Sequence, residues 1–65
     1  MFKIVVCGGP YDGEVISTDG CVSFGAVPTL SFDDFADAQE WIIINQGAVN
    51  RGDFGDGASL NVDEY

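Results

Sequence analysis

The sequence has no histidine and only two cationic side chains, Lys3 and Arg51, against eleven aspartates and glutamates. The absence of histidine excludes the usual general base of a serine or cysteine nucleophile. The formal net charge of -9 at pH 7 excludes direct binding to nucleic acid or to an anionic membrane surface, because both carry negative charge. The same charge attracts basic surfaces, so we expect a cationic protein partner.

Cysteine and long apolar segments are also scarce. Two cysteines, Cys7 and Cys21, cannot complete a four-ligand zinc site in the absence of histidine. The apolar run 4–7 is too short for a membrane span or for the apolar region of a signal peptide. The sequence therefore predicts a reducing cytoplasmic setting with both cysteines as thiols.

Apolar residues are nevertheless plentiful, at 46% of the chain with five phenylalanines. Intrinsic disorder requires low hydrophobicity together with high net charge, so this chain should fold. A chain of 65 residues is long enough for one small domain, and we predict a single domain over residues 1–65.

The first half of the chain has the pattern of β-strands. Residues 2–7 alternate and are rich in β-branched side chains, which predicts a strand, and its partly apolar second face favours an interior position. A glycine-rich loop follows at 8–13. Asp19-Gly20 predicts a two-residue type I′ hairpin turn between strands 14–18 and 21–25, with Thr18 opposite Cys21. In that register Val15, Val22 and Phe24 share one face, and a meander places Cys7 opposite Glu14.

The second half predicts one helix and one strand. Ser31 is the expected N-cap of a helix over 32–45, Leu30 and Phe35 fit a hydrophobic staple, and Gly47 is the expected left-handed C-terminal cap residue. A loop at 48–57 leads to a strand at 58–63. The order β-β-β-α-β predicts an α+β domain with a three- or four-stranded, mostly antiparallel sheet and one helix packed on it.

The predicted helix separates an apolar side from an acidic side. At 100° per residue its inward side carries residues 32, 35, 38, 39, 42 and 43, while Asp33, Asp37 and Glu40 form an outward row with Ile44 among them. Helical rise separates these acids by about 6 and 4.5 Å, close to the spacing of about 3.4 Å between phosphates of one DNA strand. A solvated outer face, which amphipathic helices generally have, is the alternative explanation.

Other motifs fail when their residues are checked. An EF-hand loop starting at Asp53 would have Gly55 and Gly57 at two ligand positions, and only weak binding of calcium or magnesium by clustered acids stays open. Residues 51–53 match a cell-adhesion tripeptide, which is too short to be specific. The Gly8-Gly9 turn lacks a phosphate-binding pattern and is followed by two acids. We therefore predict no enzyme activity, no cofactor and no metal site.

Small size, an extreme acidic balance, an α+β pattern and no catalytic residues together resemble the DNA-mimic inhibitors of phages and mobile elements, such as anti-CRISPR and anti-restriction proteins. The glycine-rich turn at 8–13 is also similar to a turn of small phage proteins. The resemblance implies a stoichiometric inhibitor in the host bacterial cytoplasm that occupies the basic DNA-binding groove of a CRISPR effector or a restriction enzyme.

The residues expected to bind that partner are acids on the predicted helix, further acids in turns and near the C-terminus, and three apolar anchors. They are Asp33, Asp34, Asp37 and Glu40; Asp12, Glu14, Asp53, Asp56, Asp63 and Glu64; and Trp41, Ile44 and Tyr11. For Trp41, partial burial at the edge of the core is the alternative. The alternative function is a non-enzymatic structural or assembly protein of a phage, acidic for solubility, and a monomer is slightly favoured.

Overall fold

A computed structural model describes residues 1–23 and 28–64 of the chain. Its elements in chain order are β1 (Phe2–Cys7), β2 (Ser31–Phe32), α1 (Phe35–Ile44), α2 (Gln46–Asn50) and β3 (Ser59–Glu64). The strands form one antiparallel sheet in the order β2-β1-β3, and α1 packs against it. The α+β class, with a three-stranded antiparallel sheet and a helix on it, is confirmed.

β1 is the central strand, as its sequence predicts. Ile4 lies opposite Val62 and Val6 lies opposite Leu60 on β3. Ile4 and Val6 have no exposed surface. β3 confirms the predicted strand at 58–63 with a shift of one residue, and its inward and outward alternation is as expected: Leu60 is buried and Asn61 is exposed.

Within residues 14–23, the segment after the glycine-rich loop forms isolated bridges instead of strands, and its register is one residue away from the prediction. Ile16 lies opposite Val22, and the Ser17 N–H donates to the Cys21 carbonyl. A type I′ turn requires positive φ at both central residues, whereas only Gly20 has it, at 84°. The result is a three-residue loop with Gly20 in the bulge position.

This register shift changes which side chain enters the core. Ile16 is fully buried. Val15 pairs with Val5, where the predicted meander placed Cys7 opposite Glu14. The predicted position of Phe24 lies outside the described residues. Cys7, partly buried, and Cys21, exposed, are free thiols.

The helix starts three residues later than predicted. Ser31 pairs with Lys3 in β2, so it is not the N-cap, and the staple between Leu30 and Phe35 loses its basis. Asp34 is the N-cap of α1, and its side chain makes no capping hydrogen bond. The extended backbone of Ser31 and Phe32 pairs with the backbone of β1. This non-local pairing outweighs the local preference of Ser31 for an N-cap position.

The end of the helix also differs from the prediction. The Asn45 N–H and its side-chain amide both donate to the Trp41 carbonyl, at 3.1 and 2.8 Å, and close α1. Gly47 lies inside α2 without positive φ, so it is not a left-handed cap. The loop predicted at 48–57 is shorter than expected because α2 takes up its first residues. Phe54 of this loop lies in the core, with 5% of its surface exposed.

The buried core lies between α1 and one face of the sheet. Its members come from five separate parts of the chain: Ile4, Val6, Ile16, Ala38, Phe54 and Leu60. Ala38 is the buried centre of the α1 face, and Ile43, about 140° further round the helix, is 72% exposed. The prediction that Ile43 points inward is therefore wrong, whereas Ile44, 73% exposed, stands among the acids as expected.

Two glycines of the loop at 8–13 offer a matched test of the packing at this end of the sheet. Gly9 and Gly13 both have positive φ, but a Cβ at Gly9 would lie 2.9 Å from the Asp56 carbonyl oxygen, whereas a Cβ at Gly13 would meet nothing within 4 Å. We expect Gly13→Ala to cost about 1 to 2 kcal/mol of unfolding free energy through φ alone. Gly9→Ala should cost about 1 to 3 kcal/mol more, because a backbone oxygen must move. Urea unfolding of both variants checks this, and equal midpoints would show that the two loops do not pack as described.

Candidate functional site

The candidate site is an exposed group of carboxylates in the turn before α1 and along α1 itself, which we call the α1 acidic surface and define as Asp33, Asp34, Asp37 and Glu40. Phe32 pairs with Phe2 in the sheet, and the ring of Phe35 meets that of Phe2 edge-on at 5.7 Å between centroids. The Asp33-Asp34 turn is held between these two contacts. Its position is thus set by packing around Phe2.

The α1 acidic surface is not the regular helical row that the sequence predicts. Asp33 lies in the turn before the helix, and Asp34 is the N-cap. Only Asp37 and Glu40 belong to α1, where three residues of helical rise separate them by about 4.5 Å along the axis. The first two acids are gathered by a turn and the last two by a helix.

These four carboxylates have no electrostatic partner in the part of the chain that the structure describes. All four residues are exposed, and their side chains make no hydrogen bond or ion pair to another residue within 1–23 and 28–64. Arg51 is engaged elsewhere, in an ion pair with Asp53 at 3.0 Å. The negative charge of the α1 acidic surface therefore faces solvent uncompensated within these residues.

The last residues of β3 bring two more predicted acids to the same end of the sheet. Glu64 lies opposite Phe2, whose other neighbour Phe32 leads into the Asp33-Asp34 turn. Asp63 lies opposite Lys3 on the other face of the sheet. Glu64 therefore extends the α1 acidic surface, and Asp63 faces away from it.

The predicted turn acids lie at the far end of β1. The Asp12 carboxylate accepts a hydrogen bond from the Gly8 N–H at 2.7 Å, and Gly9 lies against the Asp56 backbone. Five steps of strand rise separate this end from Phe2 by about 17 Å. Asp12, Glu14, Asp53 and Asp56 thus form a second group, of which Glu14 is partly buried.

The three predicted apolar anchors differ in exposure. Trp41 packs on the core with its ring centroid 6.4 Å from that of Phe54, and Tyr11 also packs against the core. Ile44 is 73% exposed. Ile44 is thus the anchor candidate that the fold leaves most open to a partner.

Asp19 is an acid whose structural role the sequence interpretation missed. Its carboxylate accepts hydrogen bonds from the Ser17 hydroxyl and, at 3.0 Å, from the Cys21 N–H. The Ser17 hydrogen bond, followed by that from Cys21, lowers the pKa of Asp19 below its ordinary value of 3.8. A serine two residues before an aspartate in a hairpin turn is the sequence signal that could have indicated this contact.

The lowered pKa of Asp19 predicts a pH-dependent contribution to stability. A carboxylate whose pKa is lower in the folded state stabilises that state above the unfolded pKa, and the effect is lost as the pH falls through the folded pKa. Asp19→Asn should therefore lower the melting temperature at neutral pH. The difference from the parent protein should shrink well below pH 3.8. Thermal unfolding at both pH values checks this, and a difference that persists in acid would contradict the charged hydrogen bonds.

Within residues 1–23 and 28–64 no three cysteine or acidic side chains converge in a way that could hold a metal ion. In the same ranges neither helix has the length and apolar character needed to cross a bilayer.

No protein-family model, curated protein or solved structure matches the chain at a significant level.

Proposed function

We propose that this protein is a small acidic inhibitor of phage type that binds the basic nucleic-acid-binding surface of a host defence complex in the bacterial cytoplasm. A CRISPR interference complex is the first candidate target, and a restriction enzyme is the second. The inhibitor blocks DNA binding without chemistry, because its carboxylates take the place of DNA phosphates.

The observation that carries this proposal is the α1 acidic surface, whose four exposed carboxylates have no partner among the described residues. Like charges held close together on a small body oppose folding unless something else compensates them. A groove lined with lysine and arginine for binding phosphates supplies that compensation. Glu64 adds a fifth carboxylate on the same side, next to Phe2.

The second acidic group favours an alternative function. Asp12, Asp53 and Asp56 lie in loops at the end of β1 that is about 17 Å from Phe2, and Asp53 is neutralised by Arg51. A charge spread over both ends of the molecule is what a phage structural or assembly protein that is acidic for solubility needs. The two functions differ in whether DNA and the protein compete for one surface.

The test is a competition for target DNA. The protein is mixed at increasing concentration with a purified CRISPR interference complex and labelled target DNA, and in parallel with a restriction enzyme. We expect the apparent Kd for DNA to rise in proportion to the free inhibitor concentration with one of the two. An unchanged DNA affinity with every basic defence complex tested would favour the structural alternative.

The affinity for such a partner should also depend steeply on salt. The carboxylates of the α1 acidic surface are exposed, and attraction between exposed charges is screened beyond about 8 to 10 Å at physiological ionic strength. Raising the salt concentration from about 50 to 200 mM should therefore weaken the complex by at least about tenfold. Isothermal titration at several salt concentrations measures this, and a salt-independent Kd would contradict an electrostatic interface.

A further inference from the structure

A groove runs between α1 and the outer edge of β3. It has a volume of about 290 Å³ and is lined by apolar side chains of both elements, among them Phe35, Ile43 and Val62. Phe35 and Ile43 are 48% and 72% exposed. Asn61 also lines the groove, although its side chain lies on the opposite face of β3. The groove therefore lies at the edge of the strand and not beneath the sheet.

The backbone of β3 leaves hydrogen-bonding groups along this groove. The Ile4 carbonyl accepts from Ile16 and the Val6 N–H donates to Glu14, so both β1 residues direct their backbone groups away from β3. Because bonded pairs alternate along an antiparallel ladder, the residues of β3 that bond to β1 are the odd-numbered ones. Leu60 and Val62 therefore direct their N–H and C=O groups outward, and within residues 1–23 and 28–64 no strand pairs with them.

Charge around the groove selects the kind of partner. Glu40 precedes Ile43 by one helical turn, and Asp63 and Glu64 follow Val62 on the strand. A second copy of this chain would bring the same acids to the same place, with a net charge of -9 on each protomer. A strand that carries lysine or arginine between its apolar residues would bring complementary charge.

We propose that the outer edge of β3 binds an extended segment of the basic partner protein by strand addition. The segment's backbone pairs with Leu60 and Val62, and its apolar side chains enter the groove against Phe35 and Ile43. The cations that alternate with them point to the opposite face of the sheet, where Asp63 lies. Strand addition supplies affinity through the backbone and specificity through alternate side chains. The inference rests on the proposed function only for the basic character of the partner.

The probe is a synthetic peptide of about eight residues in which valine alternates with lysine. In NMR hydrogen exchange we expect this peptide to slow exchange of the Leu60 and Val62 amides by about tenfold or more at saturation. Two control peptides separate the contributions. One has glutamate in place of lysine, and the other has proline in place of the central valines, which removes backbone donors. Both should bind at least about tenfold more weakly.

Ile43 and Ile44 offer a matched pair of variants. They are equally exposed, at 72% and 73%, but only Ile43 lines the groove. Ile43→Lys and Ile44→Lys add the same charge, so attraction to the lysine peptide falls equally in both. We expect Ile43→Lys to weaken binding at least about tenfold more than Ile44→Lys, because it places a cation inside the groove.

Three results would overturn the inference: equal affinities of Ile43→Lys and Ile44→Lys, no protection of Leu60 and Val62 on binding, or a dimer in sedimentation whose interface contains Val62. If these results are obtained while the protein still competes with DNA, strand addition at β3 is contradicted but the proposed function is not. If the peptide binds as expected and no defence complex is inhibited, strand addition at β3 is supported and the proposed target is contradicted.

Discussion

Replacing Phe54 with alanine is expected to leave about half of the protein unfolded at room temperature. Phe54 is 5% exposed, and its ring lies 6.4 Å from that of Trp41. Removing a buried phenylalanine side chain costs about 3 to 5 kcal/mol. The core of a domain of this size rarely supplies more than about 3 to 5 kcal/mol in total. The one deletion therefore removes about the whole stability.

The size of this effect follows from where Phe54 sits in the chain. It is the buried aromatic residue of the segment between α2 and β3, so it holds that segment against the helix. Without it, the Gly55 backbone also loses its position against Pro10 and Tyr11. Losing the side chain therefore loosens two loops together.

Phe35→Ala is the matched control, because it deletes the same side chain at a position that is 48% exposed. We expect it to cost about half as much unfolding free energy as Phe54→Ala, since the stabilisation from burying a side chain scales with the apolar area removed from water. Far-ultraviolet circular dichroism and urea unfolding measure both. Equal stabilities would mean that Phe54 is not part of the core.

Reversing the charge at Asp33 and Asp37 is expected to abolish inhibition of the defence complex. Both carboxylates are exposed and belong to the α1 acidic surface, so lysine at these positions should leave the fold intact. In a basic groove each lysine replaces an attraction with a repulsion. The double variant should bind on the order of 100-fold more weakly, equivalent to about 2.7 kcal/mol.

A net-charge control separates the surface from the overall charge. Asp33→Asn with Asp37→Asn raises the net charge by two, and so does Thr18→Lys with Asn50→Lys on the hairpin turn and α2. We expect the first pair to weaken binding by about tenfold and the second by no more than about threefold. Equal losses would show that bulk charge, and no particular surface, drives the interaction.

The two long strands could be predicted from the sequence because their signals are local. Alternation in β1 and β3 fixes both the strands and their buried faces, and Ile4 and Leu60 lie as expected. The helix start, the hairpin register and the burial of Phe54 could not be predicted. Each depends on a partner far along the chain: Lys3 for Ser31, Ile4 for Ile16, and Trp41 for Phe54.

The sequence indicated which acids form the candidate site but not how they are arranged. Asp37 and Glu40 lie on the outer face of α1 as the helical period requires, whereas Asp33 belongs to a turn that packing around Phe2 positions. The groove beside β3 had no sequence signal, because Ile43 fits the apolar side of the predicted helix. Ile43 is exposed because Ala38 lies at the centre of the buried face of α1.

Displacement by DNA tests the central claim most directly. The protein, labelled at the exposed thiol of Cys21, is first bound to the defence complex, and unlabelled target DNA is then added while fluorescence anisotropy is followed. If the α1 acidic surface occupies the DNA groove, excess DNA should release all of the bound protein. A ternary complex that retains both the labelled protein and the DNA would contradict DNA mimicry.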